Sequence, residues 1–312
     1  MNDAPLLFVT LSNIGDAVMT TPVLEAMHAM RPDAPIDIVA ASRSSVVFEH
    51  CPYRRRILHK DKRQPMRGVW SLVRELRAST YEWVVDLRTD FLPYLLRARR
   101  RLMKWSGHAY GTHAVERHMG AIASLQGARA IPATTVWLGD DGRDSGRRLV
   151  APLGAERLLA LGTGANWAPK IWPAQHFIDL IAELKHDFNA VVLLGDAADR
   201  PQSHTVAARA ALPCVDLCGR TTILQVAGVL SCAQAFVGND SGLGHIASAV
   251  GIPSLTLFGP GDPERYHPWG PLAAWLEEPG AQLAALAPGR VAARLRAHLQ
   301  SVAQRGLEVR TR

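Results

Sequence analysis

The stretch AFVGNDSGLGHIASAVGIPSLTLF at residues 235–258 decides the fold class. Two short apolar runs, Ala235–Val237 and Ser254–Phe258, flank a helical pattern at about 242–250. Both runs are apolar throughout, which is typical of strands that are buried on both faces of a parallel sheet. A strand, a helix and a second parallel strand form a βαβ unit, so the stretch predicts an α/β fold.

The same alternation extends in both directions along the chain. At 312 residues, the chain is about twice as long as a usual single domain, so we expect two domains with one parallel sheet each. Residues 127–135 show no hydrophobic period and contain a proline, which is typical of a linker. We therefore predict an N-terminal domain at residues 1–135 and a C-terminal domain at residues 136–312.

Strands and helices are predicted in turn within both domains. The strands are Leu6–Leu11, Ile36–Ala40, Arg56–His59, Trp83–Leu87, Leu158–Gly162, Val191–Gly195, Cys214–Leu217, Ala235–Val237 and Ser254–Phe258. The helices lie at about 17–30, 43–50, 66–79, 140–151, 174–187, 201–211, 222–232 and 242–250. A last helix, at about 290–304, packs either on its own domain or back on the N-terminal one.

The composition is that of an ordinary globular protein with an uneven charge. Hydrophobic residues make up 48% of the chain and charged residues 20%, and the net charge is +7. Residues 54–104 hold 15 Lys and Arg residues against 5 Asp and Glu residues. Such a block favours an anionic partner, which is nucleic acid, a membrane surface or an acidic substrate. Nucleic acid is disfavoured, because the aromatic residues in the block are scattered and several fit buried positions.

The loops that follow the predicted strands are the candidate sites, because ligands of open parallel sheets bind at the carboxyl ends of strands. After the first strand, Gly15 permits a tight turn before a helix predicted to begin near Ala17. Asp16 either caps this helix or acts as a general base on an attacking hydroxyl. The candidate acceptor-binding residues are Asn13, Gly15, Arg88 and Arg97. A solvated helix face is the default interpretation of the cluster Arg97, Arg99, Arg100 and Arg101.

Two further loops are suited to bind a phosphate. The loop 162–173 opens with G-x-G, but Trp167 stands at the third glycine position, which disfavours a dinucleotide-binding oxidoreductase. Lys170 in this loop either meets a phosphate or is a plain surface lysine. In the loop 238–249, Asp240 either caps the next helix or binds a sugar, while free N–H groups at the helix start suit a diphosphate. The candidate donor-binding residues are Gly164, Ala165, Asn166, Asp240, Ser241, Gly242, Leu243, Gly244 and His245.

Several motifs of other enzyme classes are absent from the sequence. It contains no D-x-D motif. One class of nucleotide-sugar transferases uses this motif to bind the diphosphate through a metal ion. It also lacks the P-loop motif of nucleotide triphosphatases and the G-x-S-x-G motif of α/β-hydrolases.

Four stretches together resemble glycosyltransferase family 9, the ADP-heptose:lipopolysaccharide heptosyltransferases. They are SNIGDAVMTTP at 12–22, YEWVVDLR at 81–88, GANWAPKIWP at 164–173, and NDSGLGH at 239–245 with LFGP at 257–260. The resemblance implies a GT-B fold, in which two Rossmann-like parallel-sheet domains face an interdomain cleft. The N-terminal domain would bind the acceptor and the C-terminal domain the nucleotide sugar.

The resemblance also implies a reaction and roles for three residues. The reaction is the inverting, metal-independent transfer of heptose from ADP-heptose to an acidic or phosphorylated glycan, the lipopolysaccharide inner core, without a cofactor. Asp16 matches the catalytic base proposed for the family, Lys170 the lysine that stabilises the leaving diphosphate, and Asp240 the donor-binding motif. The segment 216–221 is expected to approach the nucleoside, but it lacks the acidic residue with which some members hold the ribose.

The sequence leaves alternatives for the cellular location of the protein and for its acceptor. No secretory signal or membrane span is visible in the sequence, so we expect a cytoplasmic protein. The basic block leaves open a peripheral contact with the cytoplasmic face of the inner membrane. Two alternatives remain: a transferase that acts on a natural product or a protein, and a non-catalytic protein that binds a sugar nucleotide. The presence of both Asp16 and Lys170 argues against the second.

Overall fold

The computed structural model describes residues 4–59, 65–107, 110–126, 130–278, 280 and 282–310. The chain divides into two compact units, Met1–Trp137 and Leu138–Arg312. Residues 127–129 of the predicted linker lie outside the described residues. The end of the linker packs on the first unit, because the backbone N–H of Thr135 donates to Oγ1 of Thr21 and the ring of Trp137 contacts Tyr53. The division therefore falls two residues after the predicted one.

The N-terminal unit is built on a parallel sheet with helices between its strands. The strands are β1 (Leu6–Val9), β2 (Ile36–Ala40), β3 (Arg54–His59), β4 (Tyr81–Asp86) and β5 (Ala98–Met103). The helices are α1 (Ile14–Met19), α2 (Thr21–Met30), α3 (Pro65–Leu76), α4 (Ala114–Gly120) and α5 (Ala123–Gln126), with short 3-10 helices at Ser45–Phe48 and Leu92–Leu95. The strand order is β3-β2-β1-β4-β5, so β1 and β4 are neighbours at the centre.

The C-terminal unit repeats this architecture with a larger parallel sheet. Its strands are β6 (Leu158–Gly162), β7 (Ala190–Leu194), β8 (Cys214–Asp216), β9 (Ala235–Asn239), β10 (Ser254–Phe258) and β11 (Ala273–Glu277). Its helices are α6 (Asp140–Val150), α7 (Ala174–Glu183), α8 (Arg200–Arg209), α9 (Ile223–Leu230), α10 (Gly242–Ala249), α11 (Pro263–Tyr266) and α12 (Pro288–Arg310). The order is β11-β10-β9-β6-β7-β8. Every residue of β6, β7, β9 and β10 is buried, as their apolar sequences predict.

The last helix packs on its own unit. Val291, Ala292 and Leu295 of α12 belong to the buried cluster that also contains Trp172. The guanidinium of Arg296 pairs with Asp187 at 2.8 Å, so polar contacts fix the same side of the helix. These contacts place α12 against α7 and β11.

The predicted helix at 17–30 is in fact two helices, with the break at Thr20. Pro22 has no N–H to donate to the preceding turn, so α1 ends at Met19 and Pro22 lies in the first turn of α2, which begins at Thr21. The hydroxyls of Thr20 and Thr21 donate to the carbonyl oxygens of Ala17 and Val18 at 2.7 and 2.8 Å, and so satisfy acceptors at the end of α1. Similarly, the stretch predicted as a helix at 43–50 contains only the 3-10 helix Ser45–Phe48.

The arginine cluster at 97–101 was wrongly predicted to lie on a helix. Arg99, Arg100 and Arg101 lie on β5, the strand at one edge of the sheet, where Trp83 pairs with Arg100. A charged edge strand lacks the apolar run by which strands are recognised, and its charges discourage pairing with a further strand. The strand β11 was also missed.

A buried ion pair explains part of the basic block in the N-terminal unit. The carboxylate of Asp37 is fully buried and accepts hydrogen bonds from Arg55 at 2.6 and 2.7 Å, from Arg56 at 3.1 Å and from the hydroxyl of Tyr81 at 2.7 Å. Burial alone would raise the pKa of Asp37, but these hydrogen bonds outweigh it and hold the pKa below its ordinary value. Two of the arginines in the basic block therefore serve the fold.

We expect Asp37→Asn to lower the free energy of unfolding at pH 7 by about 2 kcal/mol, because the charge-assisted hydrogen bonds are lost. A carboxylate with a lowered pKa adds stability above its unfolded pKa of about 3.9, and this stability is lost as the pH falls through the folded pKa. In urea unfolding, the difference between the parent and Asp37→Asn should therefore shrink below about pH 4. A difference that stays constant down to pH 3 would contradict this explanation, and the exposed Asp33→Asn is the control.

Candidate functional site

The candidate donor residues of the C-terminal unit lie at the point where the strand order reverses. β6 and β9 are neighbours, and the chain continues from β6 to one side of the sheet and from β9 to the other. The loops that follow these two strands diverge, which leaves a crevice at their carboxyl ends where parallel sheets bind ligands. Gly164, Ala165, Asn166 and Lys170 follow β6, and the residues from Asp240 to His245 follow β9.

Asn239, the last residue of β9, joins the two loops. Its side chain is fully buried, and its amide nitrogen donates to the carbonyl oxygen of Thr163 at 2.8 Å. Its amide oxygen accepts from the backbone N–H of Trp172 at 3.1 Å. Trp172 is itself buried and donates from its ring nitrogen to the carbonyl of Leu286 at 2.9 Å. Asn239 is part of the motif at 239–245, but its role could not be predicted from the sequence because its partners lie far away in the chain.

Lys170 and Asp240 meet across the crevice. The ammonium group of Lys170 lies 2.5 Å from Oδ2 of Asp240, and the two side chains are 24% and 12% exposed. Lys170 is therefore not a plain surface lysine. Asp240 does not cap α10, because Ser241 holds the cap position and Asp240 precedes it. The pair places one ammonium group, partly shielded from water, where the two loops converge.

The start of α10 offers backbone donors next to this pair. Ser241 is extended, with φ −153°, and its side chain makes no cap hydrogen bond to the helix. Its buried hydroxyl has no hydrogen-bond partner among the residues described. The N–H groups of Gly242, Leu243 and Gly244 open the helix and have no acceptor in a preceding turn. Together with the helix dipole they favour a negatively charged ligand.

Close packing holds α10 in this position. A Cβ on Gly244 would lie 2.6 Å from Oγ1 of Thr256 on β10, so only glycine permits the observed contact. His245, the next residue, is 94% shielded from solvent, so its ring belongs to the packed side of the helix. Five of the nine predicted donor residues thus lie in the loops after β6 and β9, and the other four lie in the first turn of α10, where Gly244 and His245 are buried.

Asp199 is a third charged group at this edge, and the sequence analysis missed it. It lies in the 3-10 helix Ala197–Asp199 after β7, and its Oδ2 accepts from the backbone N–H of Asp196 at 2.8 Å. Burial raises its pKa, and the nearby charge of Asp196 adds to that effect. Its carboxylate lies against the Cα of Gly164. A Cβ added to Gly164 would lie only 1.8 Å from Oδ1 of Asp199. Only glycine at position 164 therefore leaves room for the carboxylate of Asp199 beside this loop.

In the N-terminal unit, Asp16 lies in the first turn of α1. The helix begins at Ile14, with Asn13 in the cap position, so the predicted start near Ala17 is wrong. Of the two alternatives for Asp16, the helix cap is ruled out. The side-chain amide of Asn13 donates to Oδ2 of Asp16 at 2.9 Å. Asp16 is only partly buried. Among the residues that the structure describes, none donates a hydrogen bond to its other carboxylate oxygen.

Arg88 lies at the same carboxyl edge, in the turn after β4. The carboxylate of Asp86 accepts from the backbone N–H groups of Arg88 and Thr89 at 2.8 and 2.7 Å, which fixes the shape of the turn. Burial raises the pKa of Asp86. β1 and β4 are neighbours, and the strand order reverses between them. The segment after β1, with Asn13 and the first turn of α1 that holds Gly15 and Asp16, therefore diverges from the turn that carries Arg88.

Arg97 is the predicted acceptor residue that the fold does not bring to this edge. It precedes β5, and its carbonyl accepts from the backbone N–H of Tyr81, the first residue of β4. It therefore lies at the amino ends of the strands, opposite the edge that carries Arg88. The sequence analysis misplaced it because it took the segment for a helix.

The described part of the chain contains neither a cluster of candidate metal ligands nor a membrane-spanning helix. In residues 4–59, 65–107 and the later described ranges, no group of three or more His, Cys, Asp and Glu side chains could hold a metal ion. No helix within those ranges is both long and apolar enough to cross a membrane.

The sequence and the structure are similar to those of known proteins. The profile of Glycosyltransferase family 9 (heptosyltransferase) matches residues 93–283. Lipopolysaccharide heptosyltransferase 3 of Escherichia coli K12 is 26% identical over 283 residues, which cover 82% of each chain. A glycosyl transferase family 9 structure from Veillonella parvula has a TM-score of 0.86 at 18% identity and covers 96% of this chain and 98% of its own.

A second solved structure is also similar to this one. It is E. coli heptosyltransferase WaaC with ADP-2-deoxy-2-fluoro heptose, with a TM-score of 0.73 at 21% identity, which covers 94% of this chain and 99% of that one. The two parallel sheets and these similarities confirm the predicted GT-B fold. The family match spans more than half of the chain. The chain therefore belongs to glycosyltransferase family 9, the heptosyltransferases, and is a glycosyltransferase.

Proposed function

We propose that the protein transfers heptose from ADP-heptose to an acidic glycan of the lipopolysaccharide inner core, with inversion at the anomeric carbon. The observation that carries the proposal is the Lys170–Asp240 pair beside the start of α10, because an ammonium group next to the N–H groups of a helix start suits a diphosphate. The names of the relatives, which are lipopolysaccharide heptosyltransferases, and the ADP-heptose analogue in the WaaC structure support the choice of acceptor and donor. We also propose that the reaction needs no metal ion or other cofactor and that it occurs in the cytoplasm.

The C-terminal unit would bind the donor. The N–H groups of Gly242, Leu243 and Gly244 would donate to the diphosphate, and Lys170 would compensate the negative charge that grows on it as the anomeric C–O bond breaks. The hydroxyl of Ser241, which lacks a partner among the described residues, is available to the same phosphates. We further propose that the carboxylate of Asp199 accepts hydrogen bonds from the ribose hydroxyls. Asp216, the acidic residue of the segment 216–221, already accepts from the hydroxyl of Ser203 and from the backbone N–H of Cys218.

The N-terminal unit would bind the acceptor and activate it. The acceptor hydroxyl attacks the anomeric carbon on the face opposite the leaving ADP, and its proton passes to Asp16. Asn13 fixes one carboxylate oxygen of Asp16 through its amide, which leaves the other oxygen for the hydroxyl. Arg88, on the turn fixed by Asp86, would bind an acidic group of the glycan.

Transfer assays with several acceptors test this function. Purified protein would be incubated with ADP-heptose and, in parallel, with truncated lipopolysaccharide, small natural products and protein acceptors, and the products would be weighed by mass spectrometry. We expect one heptose to be added to truncated lipopolysaccharide. Transfer to another acceptor alone would reject the proposed glycan. Calorimetry with ADP-, UDP- and GDP-sugars tests the donor separately, and preferential binding of a UDP- or GDP-sugar would reject ADP-heptose.

Gly164→Ala tests the donor site within the loop after β6. Because the added Cβ would overlap the carboxylate of Asp199, either the loop or Asp199 must move, and we expect the affinity for ADP to fall roughly tenfold. Gly289→Ala is the control, since a Cβ there meets only Oε1 of Glu183 at 3.8 Å. Calorimetry measures both. Unchanged ADP affinity in Gly164→Ala would place the nucleotide elsewhere.

A further inference from the structure

The loop 163–172 is held at both of its ends by two side-chain amides. Thr163 follows β6 directly, and Trp172 lies shortly before α7. The amide nitrogen of Gln202 on α8 donates to the carbonyl oxygens of Thr163 and Trp172, at 2.7 and 2.8 Å. The amide of Asn239 bridges the same two residues, because its nitrogen donates to the carbonyl of Thr163 and its oxygen accepts from the backbone N–H of Trp172. Gln202 and Asn239 thus form an amide clasp that closes the loop.

The amide clasp is shielded from water. Thr163, Trp172 and Asn239 are fully buried, and Gln202 is half-buried. The NH₂ group of a side-chain amide has two N–H donors, so Gln202 alone satisfies one carbonyl group at each end of the loop. A buried carbonyl group that loses its donor destabilises the protein, so the closed form of the loop is favoured.

Between its two ends, the loop has little freedom to move. The backbone N–H of Lys170 donates to the carbonyl of Trp167, and that of Ile171 to the carbonyl of Ala168, both at 2.9 Å. Pro169 fixes one backbone angle of the short 3-10 helix Ala168–Lys170. Because the middle of the loop is stiff, the place of the Lys170 ammonium group depends on where the ends of the loop are held.

We propose that Gln202 and Asn239 are positioning residues, which hold the ammonium group of Lys170 where the diphosphate of the nucleotide sugar binds. The inference rests on the proposed function, which assigns the diphosphate to this lysine. A charged group that is held in place before the ligand arrives loses less conformational entropy on binding. α8 begins directly after Asp199, so Gln202 also connects the loop to the carboxylate proposed for the ribose.

Gln202→Met tests whether the amide clasp holds the loop, because methionine is similar in length but has no N–H to donate. We expect the backbone amides of Lys170, Ile171 and Trp172 to exchange hydrogen about tenfold faster than in the parent, because the loop opens more often. Gln234→Met is the matched control. Gln234 also donates its amide to a backbone carbonyl, that of Glu156 at 3.1 Å, but it precedes β9 and lies at the opposite edge of the sheet. Mass spectrometry of the loop peptide measures both variants.

A double-mutant cycle tests whether the amide clasp acts through Lys170. Calorimetry would compare ADP binding by Gln202→Met, Lys170→Ala and the double variant. We expect Gln202→Met to weaken ADP binding about fivefold in the parent but less than about twofold in the Lys170→Ala background, where no ammonium group is left to position. A residue that only stabilises the unit would weaken ADP binding equally in both backgrounds.

Gln202→Asn serves as a second variant in both measurements. It keeps an amide but is one methylene shorter, so it cannot reach both carbonyl groups and should give the same results even if Gln202→Met does not fold. The proposal is overturned if the loop exchanges hydrogen as slowly as in Gln234→Met, or if ADP affinity falls equally in both backgrounds. Parental ADP affinity in Lys170→Ala alone would reject the role of this lysine in the proposed function, and with it the positioning role, whatever the Gln202 variants show.

Discussion

Asp16→Ala is expected to lower kcat for heptose transfer by about 10²–10⁴-fold, while the affinity for ADP-heptose changes little. The proposed function gives Asp16 the proton of the acceptor hydroxyl, and no step of donor binding. The loss therefore arises after both substrates are bound. Steady-state kinetics with truncated lipopolysaccharide, combined with calorimetry of ADP binding, separates the two effects.

The geometry around Asp16 suggests matched variants. Asp16→Asn preserves the shape of the side chain and a partner for Asn13 but cannot take the proton, so its kcat should fall nearly as far as that of Asp16→Ala. Asp33→Ala removes an exposed carboxylate from the same unit and should leave kcat unchanged. If Asp16→Asn kept parental activity, Asp16 would only position the acceptor and the assigned role as base would be wrong.

The sequence predicted where the candidate donor loops lie, because that place in the fold has a local cause. An apolar run such as Leu158–Gly162 predicts a strand buried in a parallel sheet, and the loop after it must then lie at the ligand-binding edge. Gly164, Lys170 and Asp240 were found in this way. What joins the loops could not be predicted: Asn239 binds Thr163 across 76 residues of sequence, and no local pattern specifies that contact.

The basic block shows where sequence counts are misleading. Arg55 and Arg56 neutralise the buried Asp37, and Arg101 holds a turn, so these charges stabilise the fold and are not all available to an acceptor. Arg97 was assigned to the acceptor because a helix was assumed where β5 runs. An edge strand with few apolar residues shows neither the apolar alternation of a strand nor the 3.6-residue period of a helix. Its position depends on pairing with β4, which only the structure shows.

Lys170→Ala is expected to reduce kcat by about 10²–10³-fold and also to weaken the binding of ADP. In the parent, the ammonium group lies 2.5 Å from Oδ2 of Asp240, whose side chain is 12% exposed. Removing the lysine abolishes an attraction for the diphosphate, and it leaves a shielded carboxylate without its partner beside the site. The loss of affinity should therefore combine missing attraction with new repulsion.

The double variant Lys170→Ala/Asp240→Asn distinguishes these two contributions. Neutralising Asp240 removes the repulsion, so ADP affinity should recover partly relative to Lys170→Ala, whereas kcat should stay low because no cation compensates the leaving diphosphate. Lys185→Ala, an exposed lysine in the same unit, should behave like the parent in both measurements. A double variant that binds ADP more weakly than Lys170→Ala would mean that Asp240 itself holds the donor. Parental kcat in Lys170→Ala would require another group, such as the N–H groups at the start of α10, to carry the charge compensation alone.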